Sequence, residues 1–304
     1  MKKPKISHYI EYYIMLAFQL MIRILPLSIV VYGARILAAT ISVFRKVRNK
    51  IVMDNLKTAF PDMDIPSREK IRNEMYQQIL MSMFESYKYM YLSDEKKSKY
   101  IITDEESILS IDKALKNDKG CIVVGGHYGF FEGGAHYGVS INLKSAVVVA
   151  NQRNKLTEKL IDIPRTKSGF LVIHRKEMRT LIKAIKDNYF IALLSDQNAG
   201  SKGVFVPFFG KLAATHQNPA ILAIKYSMPI LLSVTRRRKD DLLKHDQFFI
   251  EVKYDDILEM DIEKDEKILK VVERYTKMIE TEIKKDPTQY WWIHKRYKTR
   301  PNKD

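Results

Sequence analysis

Five short apolar runs, rich in β-branched residues, lie at residues 121–124, 147–150, 170–173, 190–194 and 230–234, with helix-sized stretches between them. Strands so spaced cannot be joined by tight hairpins. Long connections suit parallel neighbours, whose crossovers are helices packed on the sheet. The expected fold is therefore α/β: a mixed, largely parallel sheet flanked by helices. Two helical patterns are clear. Residues 64–94 carry Ile71, Met75, Tyr76, Ile79, Leu80 and Met83 at three- and four-residue steps. Residues 265–284 carry Ile268, Val271, Val272, Tyr275, Ile279 and Ile283 on one broad face.

The start of the chain differs from this pattern. Residues 9–44 are almost wholly apolar, with charges only at Glu11, Arg23 and Arg35. Arg23 and Pro26 divide the segment into uncharged runs shorter than the ~20 residues of a membrane-crossing helix. An Arg at the bilayer centre would cost ~2.5–3.5 kcal/mol on insertion scales. Two interfacial helices fit better, giving a membrane-associating region at residues 1–45 and one further domain at 46–304. A buried helical hairpin and a single anchoring helix are the alternatives. A secretory leader fits less well, because His8 and Glu11 follow the basic start and no small-residue cleavage site stands out.

The net charge of +16 calls for an anionic partner. The basic residues are scattered, with no zinc finger, basic zipper or RNA-recognition signature, so an anionic membrane surface or an acidic substrate is preferred to nucleic acid. One cysteine, Cys121, excludes an internal disulfide and sits in a strand-like apolar run.

Chemistry concentrates in Gly125-Gly126-His127-Tyr128-Gly129-Phe130-Phe131-Glu132, immediately after the first strand. On a continuous helix, residues five apart diverge by about 140°. A turn at Gly129 and a helix starting near Phe130 would let the Glu132 carboxylate return to the His127 imidazole and fix its tautomer. His127 is then a candidate general base. A zinc helix would need two His four residues apart, and His136 is nine away, so neither metal nor cofactor is expected. The bland alternative is a hydrogen-bonded His at a sheet edge.

Three further segments follow in order: Asn151-Gln152-Arg153-Asn154; Ser195-Asp196-Gln197-Asn198, leading to Gly203-Val204-Phe205-Val206-Pro207-Phe208-Phe209-Gly210; and Trp291-Trp292-Ile293-His294-Lys295-Arg296. Together with the His127 segment they resemble the lipid A late acyltransferases, the lauroyl and myristoyl transferases of the lysophospholipid acyltransferase superfamily. The resemblance implies that residues 46–304 form an acyltransferase catalytic domain in which His127 activates a hydroxyl and Glu132 orients it. It implies substrate-binding roles for Arg153, Asp196 and Gln197. Asp196 follows the strand at 190–194 onto the same sheet edge as His127, where it either touches substrate or braces its loop. The implied reaction moves a fatty acyl chain from an acyl carrier protein thioester to a hydroxyl of a lipid A precursor, at the cytoplasmic face of a bacterial inner membrane. The acidity of such a carrier suits a basic enzyme. Another glycolipid or phospholipid acceptor, or a noncatalytic basic membrane protein, are the competing readings. The aromatics at Phe205, Phe208 and Phe209 suit an acyl tunnel wall or core packing. Trp291 and Trp292 suit a membrane interface or a solvated tail.

Overall fold

The computed structural model describes residues 5–40, 47–116 and 118–301. The expected boundary between residues 45 and 46 lies outside them. Seven strands form the main sheet: β1 (Ile101–Thr103), β2 (Cys121–Gly125), β3 (Ser145–Val149), β4 (Leu171–His174), β5 (Phe190–Leu194), and, after the hairpin strands β6 (Val204–Phe208) and β7 (Lys211–Thr215), β8 (Ile230–Arg237) and β9 (His245–Glu251). The spatial order is β1-β9-β8-β2-β5-β3-β4, with β6 and β7 as a separate antiparallel pair. Within the main sheet only the β8/β9 pairing is antiparallel, so the expected mixed, largely parallel α/β architecture is present.

β2 is buried at every position because helices cover both of its faces. Ile122 and Val124 belong to the main core with Ile191, Ile230 and Leu232, while Cys121 and Val123 pack in a second cluster on the other face. The C-terminal helix, Lys264–Lys285, buries the six residues of its apolar stripe in the main core. The Ile65–Lys88 helix starts where Asp64 accepts a hydrogen bond from the Ser67 N–H, capping it, and stops six residues short of the expected end in a 3-10 turn, Tyr89–Tyr91.

Two helices, Ile6–Ile24 and Leu27–Thr40, meet at Pro26. Each buries a narrow stripe against the body: Gln19 donates to the Leu160 carbonyl, Asn154 donates to the His8 carbonyl, and Phe18 packs edge-on against Phe84. The other side carries Ile10, Ile14, Ile29 and Ile36 into solvent, and Ile6 and Ile24 are 81% and 80% exposed. Among the described residues no helix is long and apolar enough to cross a membrane.

The β6/β7 hairpin takes Phe208 and Phe209 into the core beside Tyr290 and Trp292. Packing is thus the place of these aromatics. Trp292 is buried too, its indole N–H donating to the Pro287 carbonyl, so it is absent from any exposed interface.

Candidate active site

Parallel pairing aligns Gly125 at the end of β2 with Leu194 at the end of β5. Two residues beyond each, the chain reaches His127 and Asp196. Both therefore stand at the carboxyl edge of the sheet, the usual crevice of open α/β folds. The Asp196 Oδ1 lies 2.8 Å from His127 Nδ1, and its Oδ2 accepts from the His127 backbone N–H at 2.9 Å. One carboxylate thus holds both the ring and the main chain of the same residue. Burial by itself would raise the Asp196 carboxyl, but the neighbouring His127 and its hydrogen bonds outweigh that and hold it at about 2. An ionised Asp196 on Nδ1 leaves Nε2 as the lone-pair nitrogen.

The chain does turn at Gly129, whose φ is +53°; an added Cβ would overlap the Thr235 carbonyl oxygen, so glycine is required for this close approach to β8. The following helix starts later than expected, at Gly133–Ser140, with Glu132 at its N-cap. From there Glu132 does not reach His127. Its Oε1 instead accepts a hydrogen bond from Arg165 Nε at 2.8 Å and lies 2.7 Å from a terminal nitrogen of the same guanidinium. Arg165 sits in the Lys155–Lys167 helix, and burial, which favours its neutral form, is more than offset by Glu132, so its pKa is raised. The helix adds Asp162, which bonds His174 at 3.1 Å and approaches Arg165 at 3.5 Å. The expected His127–Glu132 contact is replaced by two separate pairs, His127–Asp196 and Glu132–Arg165.

Gln197 stays with the dyad, its amide nitrogen 3.3 Å from His127 Nε2. Arg153 does not: it lies exposed on the loop after β3, while its neighbour Gln152 faces the site. The backbone N–H groups of His127, Tyr128, Gly129 and Phe130 are all taken, by Asp196, Gly126, Gln289 and Thr235. None is left for a reacting oxygen, which turns attention to side-chain donors.

The basic C-terminal segment closes the site from above. The Trp291 N–H donates to the His127 carbonyl at 3.0 Å and its ring lies 5.6 Å from the imidazole, with Phe131 5.1 Å away on the ring. His294 Nε2 accepts from the Asn198 N–H at 3.0 Å, and burial lowers its pKa to about 4, which keeps it neutral for that role. Buried Arg296 donates to the Ala214 carbonyl and to Thr215 Oγ1, tying the segment to β7. Arg165, placed 33 residues from its partner Glu132, had no local signal in the sequence.

His127, Phe131 and Trp291 stand at a cavity of about 270 Å³ that runs along one face of the sheet, over Val147 and Ala192. Its lining is largely apolar, with Gln152, Gln197, Glu132 and Arg165 among the polar groups. Among the described residues no group of three His, Cys, Asp or Glu side chains is placed to hold a metal ion.

A family model, Bacterial lipid A biosynthesis acyltransferase, matches residues 1–299. The chain belongs to that family. It is 29% identical over 280 residues to the lipid A biosynthesis palmitoleoyltransferase of Escherichia coli (strain K12), covering 91% of this chain and 87% of the relative. It is 27% identical over 260 residues to the lipid A biosynthesis lauroyltransferase of the same organism, covering 85% and 81%. A lipid A biosynthesis acyltransferase of Haemophilus influenzae (strain ATCC 51907 / DSM 11121 / KW20 / Rd) is 28% identical over 259 residues, covering 84% and 79%. The protein is accordingly an acyltransferase of lipid A biosynthesis, and the family implies an acyl donor and a lipid A precursor as acceptor. Membership in this family fits an apolar cavity that opens beside a hydrogen-bonded imidazole.

Proposed function

We propose that this lipid A acyltransferase transfers a fatty acyl chain directly from an acyl carrier protein thioester to a hydroxyl of the precursor, with His127 as general base and Asp196 as the residue that orients it. The observation that carries the reading is the 2.8 Å contact between Asp196 and His127 Nδ1 at the mouth of the apolar cavity. Nε2 takes the proton of the acceptor hydroxyl as its oxygen attacks the thioester carbonyl. Asp196 stabilises the imidazolium that results. Collapse of the tetrahedral intermediate expels the carrier thiolate, which His127 reprotonates, leaving the new ester.

The developing oxyanion needs a donor. Gln197 is the side chain within reach, because its amide group already sits 3.3 Å from Nε2 and an incoming hydroxyl would displace it toward the carbonyl oxygen. Glu132 serves differently in this reading. It neutralises Arg165 at the base of the cavity and so keeps a cation in an apolar wall. Arg153 is assigned to the acceptor side, since it is exposed at the rim next to Gln152.

The exposed isoleucine face of the first two helices, with the +16 charge of the chain, supports docking on an anionic bilayer as a membrane-associating region separate from the catalytic domain. The cytoplasmic face of the inner membrane supplies such a surface. The same charge suits an acidic carrier protein through steering.

The test is mass spectrometry of a tetraacyl lipid A precursor incubated with acyl carrier protein donors of several lengths and either the native protein or His127→Ala. A gain of one acyl chain with the native protein alone is expected. A folded native protein that leaves the precursor unchanged while acylating another glycolipid would overturn the acceptor assignment.

A further inference from the structure

A second cavity, of about 430 Å³, lies on the opposite face of the same strands. Side chains alternate along a strand, so Ala192 and Val147 face the first cavity while Leu193 faces the second; Val148, Leu194 and Arg175 border both. The first is covered by the helices that carry Ala135 and Arg165. The second is covered by the Met178–Lys186 and Asn218–Tyr226 helices, which supply Leu181, Ile221 and Leu222.

The two differ in charge. In the first cavity Arg165 is matched by Glu132. No carboxylate is among the described residues lining the second, whereas Arg175 and Lys202 stand at it with no hydrogen bond or ion pair to either side chain. Both are exposed, so they lie at the mouth over an apolar floor. Unmatched cations above an aliphatic slot suit an anion attached to a chain.

Which substrate brings that anion follows from the reaction. The carbonyl attacked is the first atom of the chain being moved, so that chain starts at His127 and runs into the cavity His127 lines. The acceptor remains, and it carries phosphates next to its acyl chains. We propose that the second cavity binds the phosphorylated glycolipid acceptor, one of its acyl chains lying between the sheet and the Asn218–Tyr226 helix and a phosphate resting on Arg175 and Lys202. Donor and acceptor chains then occupy opposite faces of one sheet and meet at its carboxyl edge, at Leu194 and Gln197. This assignment rests on the acyltransferase reading above.

Lys202→Ala, Arg175→Ala and Ile221→Trp test it, the last by filling the slot. Steady-state kinetics give KM for donor and acceptor separately, and calorimetry with dodecyl phosphate below its micelle concentration, against dodecanol below its solubility limit, gives a readout that needs no turnover. The expected result is an acceptor KM raised at least tenfold in each variant, with donor KM changed less than twofold in Lys202→Ala and Ile221→Trp, which line only the second cavity, and dodecyl phosphate binding lost in all three. Melting temperatures identify any variant that fails to fold; exposed Lys202→Ala is the arm least exposed to that risk. A rise in donor KM instead would place the donor in this cavity and overturn the proposal, as would dodecyl phosphate binding unchanged by the variants. Absence of transfer by the native protein, with dodecyl phosphate still bound through Lys202, would sink the acyltransferase reading and leave the anion site standing.

Discussion

Asp196→Asn is the substitution that separates the two candidate partners of His127. The carboxylate accepts two hydrogen bonds, at 2.8 and 2.9 Å, from the ring and from the backbone N–H of the same residue. An asparagine keeps the backbone bond by presenting its oxygen there. Its NH₂ group then faces Nδ1, which must become the lone-pair nitrogen, and the proton moves to Nε2. The base is blocked by its own proton, and the imidazolium loses its counter-charge. The same exchange in serine protease triads lowers kcat about 10⁴-fold, or ~5.5 kcal/mol, and a loss of that order is expected here. Glu132→Gln leaves the tautomer alone, since Glu132 contacts Arg165 at 2.7 Å. Double-mutant cycles make the distinction quantitative: coupling of about 1.5–3 kcal/mol or more in kcat for His127/Asp196, and near additivity for His127/Glu132. The assay is single-turnover transfer followed by mass spectrometry, with the fold checked by melting. Asp196→Asn within tenfold of native, or strong His127/Glu132 coupling with weak His127/Asp196 coupling, would refute the assignment of the dyad.

Glu132→Gln should destabilise the protein by up to about 3 kcal/mol, because it leaves the partly buried Arg165 with only Asp162, 3.5 Å away, as counter-charge, and Glu132→Gln/Arg165→Met should recover part of that loss in a melting experiment. Glu85→Gln should cost ~3–5 kcal/mol in denaturant unfolding, since Glu85 and Arg237 pair with both side chains fully buried. Gly129→Ala should lower the melting temperature through its positive φ and its overlap with the Thr235 carbonyl, an outcome read by calorimetry. Stability should fall on acidification below about pH 6.5, where unfolded His136 and His294 take up protons. Burial holds the folded groups at about 3 and about 4, so their stabilisation is present above 6.5 and is lost progressively down to those values. Each contributes a slope near 1.4 kcal/mol per pH unit, and His136→Phe should flatten the chemical-denaturation profile between pH 6 and 4.

The strands of the parallel core were legible because each is a short β-branched run ending in a turn signal. β9 was not, because its alternation of buried His245, Gln247 and Phe249 with half-buried Asp246, Phe248 and Ile250 follows a charged stretch and places polar residues on the inward face. β1, three residues long, has too few side chains to set a period. In the site, His127 and Asp196 were both legible as residues at strand ends. Their partnership was not, because it depends on β2 and β5 being neighbours, which sequence spacing does not encode. Local spacing favoured Glu132, five residues away, and the later start of the helix directed that carboxylate to Arg165. The first two helices leave isoleucines facing solvent, whereas in the last motif Trp292 serves the interior and Trp291 stands over the His127 ring.

The hold of residues 290–296 on His127, Asn198 and β7 also sets an order of assembly. During vectorial synthesis β2 and β5 leave the ribosome long before this segment, so the imidazole and its carboxylate can meet while the site above them is still open to water. Trp291 closes over the ring only when residues 290–296 dock. An emerging polypeptide therefore carries the paired imidazole and carboxylate early and their enclosure late.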